Sequence, residues 1–281
     1  MLNSLKSIAF VIDETQRGSR VADQAAILAR EHGAHLIGIY SAPNPAVTTS
    51  GSFAVGEQAI REVIEGVRAA HERKALAASR YLTALSQKYG LRVEFRVIWR
   101  ETDRLELLPH ALHCDLILVS HPPPPSLPGL HADRILLAAG TPVLIIPERW
   151  QGEHVGRHIV LAWNGSREAR QGISDAMPFV AHSEWVKVLV IDAEEAPDRH
   201  GAEPGTDIAH YLARHDARVE VERIESGDAT VAEAILDFIG TAGADLLVIG
   251  AYSRGRLSEL LLGGVTRALL SETPVPLLIS R

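Results

Sequence analysis

Short apolar runs, separated by polar stretches with helical spacing, divide the chain into two similar series. SIAFVID (Ser7 to Asp13) opens the first and HIVLAWN (His158 to Asn164) opens the second. Each is rich in β-branched residues and stops on Asp or Asn, as a buried strand does at a turn. Helical spacing follows in both, from Ser19 to His32 and from Arg167 to Val180. Second apolar runs come next, HLIGIYSA from His35 and VKVLVID from Val186. The series then coincide three more times. LRVEFRVIW (Leu91 to Trp99) matches ARVEVERIE (Ala217 to Glu225), CDLILVS (Cys114 to Ser120) matches ADLLVIG (Ala244 to Gly250), and TPVLIIP (from Thr141) matches TPVPLLIS (from Thr273). Apolar runs alternating with helices indicate parallel sheets covered on both faces. The pattern therefore predicts two tandem doubly wound α/β domains, each with a five-stranded parallel sheet, over residues 1–150 and 151–281. The stretch from Glu148 to Arg157 lacks periodic apolar positions and reads as the linker.

The halves diverge in two places. The first carries a long helical pattern from about Gln58 to Lys88, with Ile60, Val63, Ile64 and Val67 on one face, which predicts packing along a surface. The second half has only a short helix there. After its fourth strand, the first half reads SHPPPPSLPG, where Pro122 to Pro125 remove backbone N–H donors and favour extended geometry. A loop that wraps an anion needs those donors, so the first half is a poor phosphate site.

Composition narrows the class. The 281 residues are 46% hydrophobic, enough for a core in each half. A formal net charge of -7 argues against a general nucleic-acid binder. A single cysteine, Cys114, excludes an internal disulfide framework and fits a reducing compartment; beside LILV it reads as a structural thiol. The opening MLNSLKSIAFVIDE lacks the long apolar core of a signal peptide, and no run approaches the roughly 18 apolar residues of a membrane span. These features predict a cytoplasmic protein without membrane or nucleic-acid partners.

The richest candidate chemistry is IGAYSRGRLSELLLGGVTRALL, from Ile249. Open α/β sheets bind ligands beyond the carboxyl ends of their strands, where strand order reverses. Gly250 falls at such an end, and Gly263-Gly264 open the next helix, with Val265 and Thr266 in its first turn. A helix N-terminus offers unpaired N–H groups and partial positive charge to a phosphate, and glycines let the backbone approach it. Arg254 and Arg256 are candidate charge-assisted contacts, and Thr266 a candidate hydroxyl. A plain strand-to-helix connection also uses small residues, so the spacing alone leaves both readings open. It is neither a Walker loop nor a Gly-x-Gly-x-x-Gly opening.

Gly250-x2-Ser253-x9-Gly263-Gly264, after ADLLVIG and before TPVPLLIS, resembles the nucleotide motif of the universal stress protein family. AWNGSREA, GAYSR and LLLGGVTRALL are similar to the tandem members, which carry two family domains in one chain. The resemblance implies ATP or AMP, with or without Mg²⁺, lying across the strand ends of the second half. Carried over by position, Gly250, Ser253, Gly263 and Gly264 face ribose and phosphates, while Ala162, Asn164 and Val190 contact adenine. Three departures stand out: Ser253 for the second glycine, Gly264 for Ser or Thr, and Asn164 for Asp. They bear on triphosphate affinity more than on fold, and leave a monophosphate or an empty site open. The resemblance also implies dimerisation through last strands, here between the two halves of one chain, with a further homodimer beyond it. Pro276 reads as an edge-strand residue.

Other residues carry weaker signals. His110, His113 and Cys114 stand at metal-like spacing, but no second ligand cluster accompanies them. Asp13 and Glu14 match the position of Asn164; the proline-rich loop favours a solvated acidic strand end over a second adenine site. Ser226-Gly227-Asp228 reads as a capping turn for a helix near Thr230, with a ribose contact by Gly227 or Asp228 as the alternative. No general base beside a metal carboxylate is legible, so no catalytic residue is assigned. The alternatives to a nucleotide-binding stress regulator are a nucleotide-free interaction scaffold and a weak ATPase.

Overall fold

A computed structural model describes residues 4–44, 57–100, 107–123, 132–195, 197–251 and 263–281. The chain forms two compact units, Lys6–Ala139 and Gly140–Arg281 together with Met1–Leu5. The first contains β1 (Ser7–Val11), α1 (Gln16–His32), β2 (His35–Pro43), α2 (Glu57–Tyr89), β3 (Val93–Arg100), α3 (Leu108–Ala111), β4 (Leu116–His121) and α4 (Ala132–Ala139). The second contains β5 (Val143–Pro147), β6 (His158–Ala162), α5 (Arg167–Val180), β7 (Trp185–Ile191), α6 (Pro197–His200), α7 (Thr206–Ala213), β8 (Val219–Ile224), α8 (Val231–Ala242), β9 (Leu246–Gly250), α9 (Gly264–Glu272) and β10 (Leu277–Ser280).

Strand order is β3-β2-β1-β4 in the first unit and β5-β10-β9-β6-β7-β8 in the second. The pairings β1–β2, β1–β4, β2–β3, β6–β7, β6–β9, β7–β8 and β9–β10 are parallel. Parallel strands buried on both faces explain the unbroken apolar runs. Ile8, Phe10, Leu116 and Leu118 are fully buried in the first unit, as are Ile159, Leu161, Val188 and Leu246 in the second. Each contributes roughly 1.5–3 kcal/mol by leaving water.

The last strands of the two series, β5 and β10, pair antiparallel, with Ile145 opposite Leu277 and Val143 opposite Ile279. That pairing places β5 in the second compact unit, although it belongs to the first series. It also corrects the reading of Pro276. β10 has a neighbour on each side, β5 and β9, so it is an interior strand. Pro276 precedes it by one residue, and its carbonyl accepts from Leu247 N at 2.9 Å; no donor is required of it there.

Both series contain an aspartate absent from the sequence reading as a working residue. Asp115 Oδ2 accepts from Lys6 N (2.7 Å) and Ser7 N (2.8 Å), fixing the start of β1. Asp245 Oδ1 likewise accepts from Gly156 N (2.9 Å) and His158 N (3.0 Å) at the start of β6. The linker between β5 and β6 buries Trp150 and Val155 as anchors. The long helix also differs from expectation. α2 buries Ala75, Ala78, Leu82 and Leu85, while Val63 is 37% exposed and Ile64 and Val67 are half-buried. The helix packs on α1, β2 and β3. Tyr81 reinforces that seam, its hydroxyl donating to Asp23 Oδ2 at 2.7 Å. The side chain of Ile60 lies outside the described residues.

Candidate functional site

In the second unit, strand order reverses at β6, which has β7 on one side and β9 on the other. A crevice at the carboxyl ends of β6 and β9 is the place where doubly wound sheets take ligands. β6 ends at the half-buried Ala162, and Trp163 N still donates to Leu189 O at 2.8 Å. Asn164 is the first residue beyond the sheet and is exposed. Its Oδ1 accepts from Ser166 N (3.2 Å), closing a local turn, and Ser166 Oγ accepts from Ala169 N (3.1 Å) to cap α5. Asn and Ser favour such turns and caps because their oxygens replace missing backbone acceptors.

Val190 is fully buried. Its Cγ2 lies 2.9 Å from the point that a Cβ on Gly205 would occupy, so it packs beneath the turn that starts α7. Gly250 closes β9 directly against α5. A Cβ there would sit 2.1 Å from the carbonyl carbon of Glu168 and 2.3 Å from Ala169 N. The absent side chain is thus explained by helix packing at this position. Ser253, Arg254 and Arg256 lie outside the described residues.

Because β9 and β10 run parallel, the helix between them returns its N-terminus to the carboxyl edge. Gly263 is the N-cap of α9, with φ -56° and ψ 148° and no side-chain cap bond. No described atom lies within 4 Å of a Cβ built on Gly263 or Gly264. Gly263, Gly264 and Val265 are exposed, and Thr266 is buried. The accessible part of this helix end is backbone, N–H groups with partial positive charge. Topology therefore brings Ala162, Asn164, Gly250, Gly263 and Gly264 to one edge, while Val190 and Thr266 are packed inside.

Beyond β7 and β8 the edge is stapled by a pair the sequence reading missed. Asp192, with φ 50°, accepts from Ser226 N (2.8 Å) and Ser226 Oγ (2.7 Å). The hydroxyl and backbone donors of Ser226 hold the Asp192 carboxyl below its ordinary pKa. An acidic strand end followed by a serine turn was the available signal. The predicted capping turn is present: Thr230 and Glu233 form a reciprocal capping box at α8, and Gly227 sits in the turn before it at φ 60°.

The equivalent edge of the first unit is built the same way with different chemistry. Asp13 Oδ1 accepts from Thr15 N at 2.9 Å, and Thr15 caps α1 through Gly18 N. The expectation of a solvated acidic strand end is corrected here, because Asp13 is only 2% exposed. It tucks under the first turn of α1, where Gly18 has no Cβ to collide with its carboxylate. Among the described residues its Oδ2 has no hydrogen-bond partner. Glu14 is ion-paired to Lys74 of α2. Burial works to raise the Glu14 pKa, but the Lys74 ammonium outweighs it and the carboxyl lies below its ordinary value. Burial, aided by the Glu14 and Asp13 carboxylates, pushes the Tyr40 phenol up to about 12. Pro122 and Pro123 follow β4, and the rest of the proline run lies outside the described residues.

His110, His113 and Cys114 do not converge. Arg96 Nη1 and His110 Nδ1 are 2.7 Å apart, and the Cys114 thiol donates to the His110 carbonyl at 3.1 Å. Burial and the Arg96 charge lower the His110 pKa, and burial raises that of Cys114. Among the described residues no three His, Cys, Asp or Glu side chains could hold a metal ion together.

These features define a class: doubly wound α/β domains in tandem, with an exposed helix N-terminus at the carboxyl edge where strand order reverses. Residues 157–281 match the universal stress protein family. A universal stress protein from Thermus aquaticus, described by its place in the 3′ region of a QAH/OAS sulfhydrylase, is 31% identical over 136 residues, spanning 44% of this chain and 97% of that protein. The chain belongs to the universal stress protein family. The fold agrees over nearly the full length. A universal stress protein from Archaeoglobus fulgidus superposes with a TM-score of 0.69 at 12% identity, covering 98% of both chains. A functionally unknown protein from Pseudomonas aeruginosa PAO1 gives 0.65 at 17% identity, covering 99% of this chain and 93% of that one. No helix among the described residues is long and apolar enough to cross a membrane.

Proposed function

We propose that this protein is a cytoplasmic stress regulator of tandem type, with repeats over residues 1–150 and 151–281, that binds a nucleotide at the carboxyl edge of its second half. ATP or AMP, with or without Mg²⁺, is the ligand that family membership suggests. The observation that carries the reading is the bare N-terminus of α9, where Gly263 and Gly264 expose backbone donors with no side-chain cap and no described atom crowding them. Phosphate would rest there, with Ser253, Arg254 and Arg256 as added contacts, and the base would lie toward Ala162 and Asn164. Gly227, exposed beyond β8, is the ribose-side candidate. The first half serves as a structural partner in this reading, and the protein further assembles as a homodimer.

Gly263→Asp tests the phosphate placement cleanly. Aspartate is a favoured N-cap, so the variant keeps or gains helix stability while its carboxylate repels an anion. Wild-type protein should release AMP or ATP on denaturation, or bind one of them in calorimetric titration, and G263D should bind neither. Absence of co-purified nucleotide together with no binding at millimolar concentration would leave the scaffold reading. That reading has one observation in its favour, the packing of α5 against Gly250, which accounts for this glycine without a ligand.

A further inference from the structure

Among the described residues, β3 and β8 each have a strand on one side only, β2 and β7 respectively. Such an edge leaves a row of backbone donors and acceptors able to pair with another chain, and charged side chains are a common guard against it. β8 is guarded. Its Glu220 and Glu222 share a face, and an antiparallel copy of the strand turned about Val221 would set carboxylate against carboxylate. One ammonium, Lys187 of β7, serves both, at 2.8 Å from Glu222 and 3.7 Å from Glu220. β3 carries opposite signs instead. Glu94 and Arg96 share a face, with Glu94 Oε1 accepting from Arg96 Nε at 2.8 Å. Glu94 Oε2 also meets His35 Nε2 at 3.1 Å, and Arg96 Nη1 meets His110 Nδ1 at 2.7 Å. A carboxylate and a guanidinium each have more hydrogen-bonding sites than these contacts use, and the two side chains remain 43% and 30% exposed. The other face of β3 presents Val93, Phe95 and Val97, the last of them exposed.

We infer that β3 is the surface through which two copies of this chain join, pairing antiparallel about Phe95 so that Glu94 of each copy meets Arg96 of the other. The inference rests on the proposed homodimer and specifies its surface. A two-fold axis through Phe95 makes the charge pair twice. On the opposite face it sets Val93 against the exposed Val97 twice, and Phe95 against its own copy. Side chains directly opposed in antiparallel strands are close enough for opposite charges and apolar pairs to stabilise the pairing and for like charges to oppose it. Moving the axis by one residue sets Glu94 or Arg96 against its own copy, and moving it to Val97 sets Arg96 against Ile98. The charges thus select one register as well as one partner.

Sedimentation equilibrium of the full chain over the micromolar range reads the dimer. Glu94→Arg turns both charge pairs into repulsions and should weaken dimerisation by on the order of tenfold. The exchange E94R/R96E restores opposite signs across the axis and should return the affinity to near that of the wild type. Val97→Lys, at an exposed position, tests the surface without touching the charge pair; it should weaken the dimer and leave the circular dichroism unchanged. A dimer as tight in E94R or in V97K as in the wild type overturns the inference and leaves the homodimer standing on another surface. A loss in E94R that the exchange fails to recover overturns it equally. A wild type that stays monomeric throughout the range refutes the homodimer itself, and this surface with it.

Discussion

Gly250→Ala separates the two explanations for the glycine that opens the candidate site. Gly250 needs no unusual backbone angle, so the substitution acts through space alone. The new methyl would stand 2.1 Å from Glu168 C and 2.3 Å from both Ala169 N and Glu168 O. Unstrained carbon pairs sit about 3.5 Å apart, so roughly 1.4 Å must be found. The obstacle is main chain in the first turn of α5, and no rotamer change relieves it. The helix must retreat, and it buries Ile173, Met177, Phe179 and Val180. A gap of ~1 Å removes up to half of each dispersion contact along that face. The expected loss is about 3 kcal/mol, toward the upper end of overpacking costs. Gly172→Ala is the control: its methyl meets Ile249 O at 3.2 Å, and alanine is favoured inside a helix by about 1 kcal/mol, so the two effects nearly cancel. Urea denaturation of the wild type and both variants reads the difference. If G250A is as stable as wild type yet loses nucleotide affinity, the packing argument is wrong and the glycine answers to the ligand.

Two further predictions concern the frame. The folded protein holds the Tyr40 proton to about pH 12, against an ordinary value near 10. The stabilisation is complete below the unfolded value and is lost as pH rises from about 10 through 12. Tyr40→Phe should therefore lose stability less steeply than wild type over that window in pH-dependent thermal melts, and parallel curves would contradict the assignment. Asp245→Ala strips the acceptor from Gly156 N and His158 N and should cost about 1–3 kcal/mol in urea titrations, with Asp245→Asn milder because it keeps a carbonyl. Equal losses in the two variants would mean that charge, not the acceptor, holds the start of β6.

Strands were the most legible part of the chain, because burial on both faces writes an uninterrupted apolar run. The bounds of α5 were readable for a related reason: Ser166 marks its start and a clear helical period fills it. The face of α2 was not, because its buried stripe begins with Ala75 and Ala78, which contrast weakly with the surrounding polar residues before Leu82 and Leu85 continue it, whereas Val63, Ile64 and Val67 nearer its start are left partly exposed. Pro276 misled because the rule against proline in an interior strand applies within the ladder, and this proline stands one residue outside it. At the site, the turn signals Asp-x-Thr and Asn-x-Ser were present in the sequence. Their use of one side-chain oxygen apiece became visible only once the backbone donors were in place.

The internal repeat supplies a comparison that one sequence otherwise lacks. Features present in both halves serve what the halves share, which is the fold: an aspartate clamping the start of β1 or β6, a side-chain oxygen closing the turn after that strand, and a hydroxyl capping the following helix. These persist whether the later loop carries four prolines or a glycine pair, so anion binding is not what maintains them. Features that differ at matched positions are the ones free to carry function. At the carboxyl edge these include proline against glycine in the loop after the fourth strand, and a buried Asp13 against an exposed Asn164 after the first. The first difference removes or supplies backbone donors, and the second exchanges a buried carboxylate for an exposed amide. Both therefore change the polar groups at that edge, while the scaffold that presents them stays the same.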